Sequence, residues 1–202
     1  MLLKAVVVIA LLAACGGEPV DPDAGAADAI PCRIVGDLSQ PAQMQVVART
    51  PDGVAAPVED GDELALTNPP QGGKILLVGV RVKHVDLCDA TVQVAVKDLA
   101  TGRVAGIERR PVAWRIAADG FAEPAQPDQI SDYANVPVCP NANIDQDIDG
   151  NPWQLEVRFY DRSQTAIEQI LTVTPSCAAD PDPATCMCEC AMVFDPRCYP
   201  SG

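Results

Sequence analysis

The chain has 202 residues and a formal net charge of −14, with 48% hydrophobic residues but only 4% aromatics. Charge of this sign is repelled by phosphate backbones and anionic lipid headgroups, which counts against nucleic acid as a partner and favours divalent cations. Length and apolar content suit one domain of ordinary size, and 19 prolines with 14 glycines point to a turn-rich, all-β scaffold.

Residues 1–14, "MLLKAVVVIALLAA", place one cation, Lys4, ahead of a short apolar run that ends in small residues. The run is too short for a stable membrane-spanning helix, which needs about 20 apolar residues. It has the form of a secretory signal. The junction "LAAC", Leu12 to Cys15, resembles the lipobox of bacterial lipoproteins. That resemblance implies cleavage before Cys15, a diacylglycerol on its sulfur and an acyl chain on its new amino group. Several chains, at about 0.8 kcal/mol per buried CH₂, hold a domain at a membrane stably. The next residue is Gly16 rather than aspartate, which by analogy with sorting in Gram-negative cells implies the outer membrane.

Residues 15–31 follow as a tether. "GGEPVDPDAGAADA", Gly16 to Ala29, is small, acidic and proline-bearing, with one valine as its only sizeable apolar side chain. Such a segment buries too little apolar surface to offset its ordering entropy.

Residues 32–176 read as short strands punctuated by turns. "QMQVVAR" ends at the turn "TPDG", and "DELALT" ends at "NPPQGG". "KILLVGVRVKH" is nearly continuously apolar at first, as expected of a strand covered on both faces. "TVQVAVKDL" alternates, with Val92, Val94 and Val96 on one face and Gln93, Ala95 and Lys97 on the other. After "ATGR" the chain returns through "VAGIERRPVAWRIA", where Gly106 and Pro111 predict an edge or a bulge. "WQLEVRFY" puts Trp153, Leu155, Val157 and Phe159 on one face; "DRSQ" turns it into "TAIEQILTVT". Period-two alternation with a turn every ten or so residues predicts an immunoglobulin-like β-sandwich, and no stretch shows a convincing helical period.

Residues 177–202, "CAADPDPATCMCECAMVFDPRCYPSG", form a cysteine-rich tail with few core-forming side chains. Setting Cys15 aside, eight cysteines remain: Cys32, Cys88, Cys139, Cys177, Cys186, Cys188, Cys190 and Cys198. An even number in an exported chain predicts disulfides, although about a hundred pairings are open. With three in the body and five in the tail, full pairing requires at least one bridge from body to tail. The "CEC" spacing and the gap to Cys198 resemble the last half of an epidermal-growth-factor-like module, a resemblance that implies a Cys190–Cys198 bridge. The body is similar to uncharacterised myxobacterial-type surface lipoproteins, on "NPPQGG" before a valine-rich strand, "DLCDATV", "DLATGRV", "ANVPVCP" and the cysteine-dense end. That resemblance implies location and architecture only.

Four features bear on chemistry. In "DQDIDGNPWQLE" a calcium loop of the EF-hand type would take Asp145, Asp147, Asp149, the carbonyl of Asn151 and a closing Glu156, with Gly150 at the sharp turn. Pro152 and the strand-like continuation argue against closure, because a strand carries Glu156 away at about 3.3 Å per residue. A solvated turn is the favoured reading, with a weak calcium site at Asp145, Asp147, Asp149 and Asn151 as the alternative. "CMCEC" read as a strand puts three sulfurs on one face, but spaced about 6.6 Å apart, so disulfides are favoured over a metal–thiolate site. His84, the only histidine, reads as a structural residue at the end of a buried strand. Trp153 and Phe159 read as core, while Trp114 and Tyr133 are undetermined.

No nucleophile elbow, phosphate loop or identifiable carboxylate pair is present. The expectation is a lipid-anchored module of the cell envelope, non-enzymatic and without a cofactor, held to the membrane through Cys15. An envelope or surface protein, or a glycan, is the expected kind of partner. The alternatives are calcium-dependent adhesion and an envelope enzyme with a carboxylate-lined cleft.

Overall fold

The computed structural model describes residues 33–141, 144–163, 166–191 and 198. The signal segment, Cys15, the tether and Cys32 lie outside the described residues.

In chain order the strands are β1 (Ile34–Val35), β2 (Gln43–Arg49), β3 (Ala55–Pro57), β4 (Glu63–Ala65), β5 (Lys74–Lys83), β6 (Val85–Asp86), β7 (Thr91–Lys97), β8 (Val104–Pro111), β9 (Trp114–Ile116), β10 (Ala122–Pro124), β11 (Ala134–Cys139), β12 (Trp153–Tyr160) and β13 (Ala166–Ser176). One α-helix, α1 (Pro183–Cys190), follows β13. β5 is the hub of the first sheet. It pairs β2 along one edge, and on the other it pairs β11 through residues 74–78 and β10 through Val82. β3 and β9 extend this sheet at its ends. The second sheet runs β4-β13-β12-β7-β8, antiparallel except for the parallel pairing of β4 with β13. The neighbours β13-β12-β7-β8 and β2-β5-β11 reproduce the G-F-C-C′ and A-B-E orders of an immunoglobulin-like sandwich. The expected all-β sandwich therefore forms.

Its core follows from the alternation. Val92, Val94 and Val96 of β7 lie opposite Phe159, Val157 and Leu155 of β12, and all six are fully buried. Each such side chain contributes about 1.5–3 kcal/mol relative to exposure. β5 is covered on both faces, as its apolar run predicts. Leu76, Val78, Val80 and Val82 enter the main core, while Ile75 and Leu77 join Tyr133 in a smaller cluster on the other side. Tyr133 is buried with its hydroxyl donating to the Pro127 carbonyl at 3.2 Å. Burial pushes its pKa up to about 12.

The sheets also meet at an edge. The β11 amide of Asn135 donates to the Glu108 carboxylate of β8, and the Asn141 side chain donates to the Ala105 carbonyl. Gly106 permits this approach, since a Cβ there would overlap the Pro137 carbonyl. Gly106 also sits at a register shift on an edge strand, as expected of it.

Three expectations are corrected. The return segment is not one strand: β8 belongs to the second sheet and β9 to the first, with the crossing after Pro111, which has no N–H to continue a ladder. "CMCEC" is helical rather than extended. Asp182 caps α1 by accepting the Thr185 amide at 3.2 Å, and Pro183 supplies a ready-made first turn. Finally, Cys190 does not pair with Cys198. The bridges are Cys139–Cys190, Cys177–Cys186 and Cys188–Cys198. Cys186 and Cys190, one helical turn apart, face inward, while Cys188 projects the other way. Cys88 is also disulfide-bonded. The Cys139–Cys190 bridge is the body-to-tail link that parity requires.

Candidate functional site

The acidic loop lies between β11 and β12 and packs on the tail. Ile148 is fully buried and donates its amide to the Cys190 carbonyl at 3.1 Å. Gly150, at φ +72°, donates to the Pro175 carbonyl at 2.9 Å. The candidate ligands are occupied separately. Asp145 pairs with Arg103 at 2.6 Å, and Asp149 accepts the Cys177 amide at 2.7 Å. The Asn151 side-chain Nδ2 donates to the backbone carbonyls of Asp147 and Asp149 at 3.0 and 3.4 Å. Glu156 lies within β12, bound to Lys97 and to Arg158. Among the described residues, Asp145, Asp147 and Asp149 do not bring three carboxylate oxygens together. The calcium register does not become a calcium geometry, because β12 continues the loop where an EF-hand needs a helix.

The only metal-like grouping among the described residues is Cys177, Cys186 and Cys190, and all three sulfurs are in disulfides. His84 sits just beyond β5 at φ +62°, where its Nδ1 accepts the Asp37 amide at 2.9 Å. A Cβ on Gly36 would strike that ring, so the contact needs glycine there. His84 is thus a structural acceptor, although outside the strand. Trp114 and Trp153 are both buried, and Trp114 packs edge-on against Phe159 with ring centres 5.8 Å apart. Neither indole offers a surface platform.

The described surface does carry a groove, at residues the sequence reading passed over. It has a volume of about 390 Å³ and runs between β3 and β4. The end of β2 forms one wall, and residues 176–179 close the other side. A second hollow of about 270 Å³ continues it past Asn68 and Asp180, sharing Arg49, Pro51, Ala65 and Ala179. β3 and β4 are the outermost strands of their sheets, so the walls present backbone groups as well as side chains. Val58 and Leu64 are the largest aliphatic side chains of the lining, among several alanines and prolines.

Arg49 is the one cation lining both hollows. Its Nε is buried with no hydrogen-bond partner, although a buried donor left unmade is costly. Gly53, at φ +79°, leaves room beside the guanidinium, because a Cβ there would lie 3.4 Å from Nη2. Asp62 and Glu63 also line the groove, but Asp62 accepts the Glu59 amide at 2.7 Å. As successive residues of an extended segment they point to opposite faces. The groove therefore offers an arginine whose buried Nε is unpartnered, two strand edges and an apolar lining. The signal in the sequence was slight: an arginine closing a buried strand just before the turn "TPDG". Compared with protein-family models, curated proteins and solved structures, the chain matches none.

Proposed function

We propose that the protein is a lipid-anchored module of the cell envelope that binds rather than catalyses, and that it receives an extended, carboxylate-bearing peptide segment of a surface protein in the Arg49 groove. The observation that carries the binding half is the unpartnered Nε of Arg49 between two strand edges. A carboxylate accepts from a guanidinium through charge-assisted, often paired, hydrogen bonds, and an extended chain satisfies free strand edges by adding to them. The anchoring half rests on "LAAC" and on the oxidised cysteines, which suit an exported protein. Binding is favoured over catalysis because the groove's two carboxylates do not face each other across a substrate-sized gap.

Two measurements test the halves separately. Cys15→Ser should move the protein from the membrane fraction to the soluble one and remove label from fed palmitate. Retention of both membrane association and label would sink the anchor. For the groove, a random peptide library with free C-terminal carboxylates should bind better than the same library amidated, and Arg49→Gln should abolish the difference. Equal binding of the two libraries would end the carboxylate reading and leave the anchor intact.

A further inference from the structure

At the far end of the groove a buried polar cluster joins the start of β5 to the tail. Lys74 opens β5 and is 3% exposed, its Nζ 2.9 Å from Asp180 Oδ2 and 3.2 Å from Glu189 Oε2. Asp180 is also buried. The same Asp180 oxygen accepts from the side-chain amide of Asn68 at 2.8 Å. Lys74 Nζ in turn donates to Asn68 Oδ1, which closes a three-sided arrangement of amine, carboxamide and carboxylate. A simple ion pair needs only the lysine and one acid. Here the carboxylate also holds the nitrogen that would have to leave the carboxamide.

We propose that Lys74 and Asn68 join in an intramolecular isopeptide bond, with Asp180 moving the protons. The Lys74 ammonium gives a proton to Asp180, and the freed amine attacks Cγ of Asn68. Asp180 returns that proton to Nδ2 as the Cγ–Nδ2 bond breaks, and the leaving nitrogen takes a further proton from Nζ. One ammonium ion leaves, one C–N bond replaces another, and Asp180 is restored as a carboxylate. No oxidant, reductant or cofactor enters the balance.

The backbone sets the reactants in place. Thr67 and Ile75 exchange both backbone hydrogen bonds, at 2.9 and 3.0 Å, so residues 68–74 form a closed loop with Asn68 and Lys74 at its base. Pro69 and Pro70 stiffen one arm. Gly72 and Gly73, at φ +86° and +76°, turn the other, and a Cβ on Gly73 would overlap the Cys139 carbonyl. Groups fixed in this way react at effective concentrations far above any in solution. The product would be a lock that reductants cannot open, beside the Cys139–Cys190 bridge: Cys139 is the β11 partner of Lys74.

The test uses the exported protein with its disulfides reduced and capped, digested with trypsin and weighed. A linked Lys74 is not cut, so the expected product is a peptide from Thr50 to Arg81 that is lighter by one ammonia. Asn68→Ala, at an exposed residue, should restore cleavage after Lys74 and the full mass, and Asp180→Ala should do the same. Complete cleavage after Lys74 at full mass in the unaltered protein would overturn the proposal. Loss of ammonia with Lys74 still cleavable would overturn it too, since the lost nitrogen would then not have been replaced by Lys74. Lys74 joined to the peptide carrying Asp180, with loss of water, would move the bond to a different pair and likewise refute this one.

Discussion

Gly106 and Asp149 show how single residues set this structure. An alanine at Gly106 would force β8 away from the Pro137 carbonyl, and overpacking of this kind costs about 1–3 kcal/mol. Gly102 is the control. Nothing lies within 4 Å of its missing Cβ, but its φ is +70°, so alanine there meets only the left-handed strain of about 1–2 kcal/mol. The discriminating signature is a double variant, Gly106→Ala with Pro137→Ala, which should recover nothing because the clash is with backbone. Denaturant midpoints would read this out. The acidic loop gives a second prediction. Asp149→Ala leaves the Cys177 amide without its acceptor, which should lower stability by about 1–3 kcal/mol. Asp145→Ala removes an ion pair whose partners are 47% and 77% exposed, so its effect should stay within about 1 kcal/mol. The asymmetry should persist in millimolar calcium. Equal effects of the two variants, seen only with calcium present, would restore the metal reading. At this scale the sequence showed which side chains enter the core, because alternation in β7 and β12 is a local property. It did not show Arg49, Lys74, Asn68 and Asp180 as functional, because their meaning comes from neighbours far along the chain.

Among the elements, strands with clean alternation or a continuous apolar run were legible: β2, β5, β7, β12 and β13 all fall where the pattern puts them. Of the three-residue strands, β4 was legible in "DELALT" and β9 only as a continuation of β8, while β3 and β10 are too short to show a period and exist only by pairing with neighbours. The helix is the instructive miss. Its start signal, Asp182 followed by Pro183, is present in the sequence, but cysteine density drew attention to spacing as a strand. Asp182→Ala should cost about 1 kcal/mol, the usual worth of a cap, and the loss should appear as fraying of α1 rather than of the sandwich. The bridge that pins α1 to β11 spans 51 residues. Replacing Cys139 and Cys190 together by serine should lower stability by about 2–5 kcal/mol. Limited proteolysis should then cut residues 177–191 well before it cuts the strands. Tail and sandwich digested at one rate would mean that the buried Lys74–Asp180 contact holds the tail without the bridge.

For the molecule as a whole, fold class was legible from many weak local signals, but the route of the chain was not. The parallel pairing of β4 with β13 joins distant segments with no local mark, and that pairing builds one wall of the groove. Acidity is the global property with a testable consequence, and two effects oppose each other. A net charge of −14 makes the folded chain repel itself, so protonation relieves strain as pH falls. Against this, several aspartates are held below the usual carboxylate range. Asp98 is held there by the hydroxyl and amide of Thr101, and Asp119 by Arg81. Asp182 is held by the hydroxyl and amide of Thr185. A group depressed in the folded state takes its proton first in the unfolded chain. Its contribution is therefore complete above the ordinary carboxylate pKa, near about 4, and disappears as pH falls through the lower folded value. Salt separates the two effects. At about 1 M ionic strength the screening length is about 3 Å, so long-range repulsion fades while the direct hydrogen bonds of the caps and turns remain. In high salt the melting temperature should hold steady from neutral pH to about pH 5 and then fall continuously toward about pH 2. A melting temperature that rises across that acid range in high salt would mean that these aspartates are not held by the hydrogen bonds described, and that repulsion alone governs how this protein meets acid.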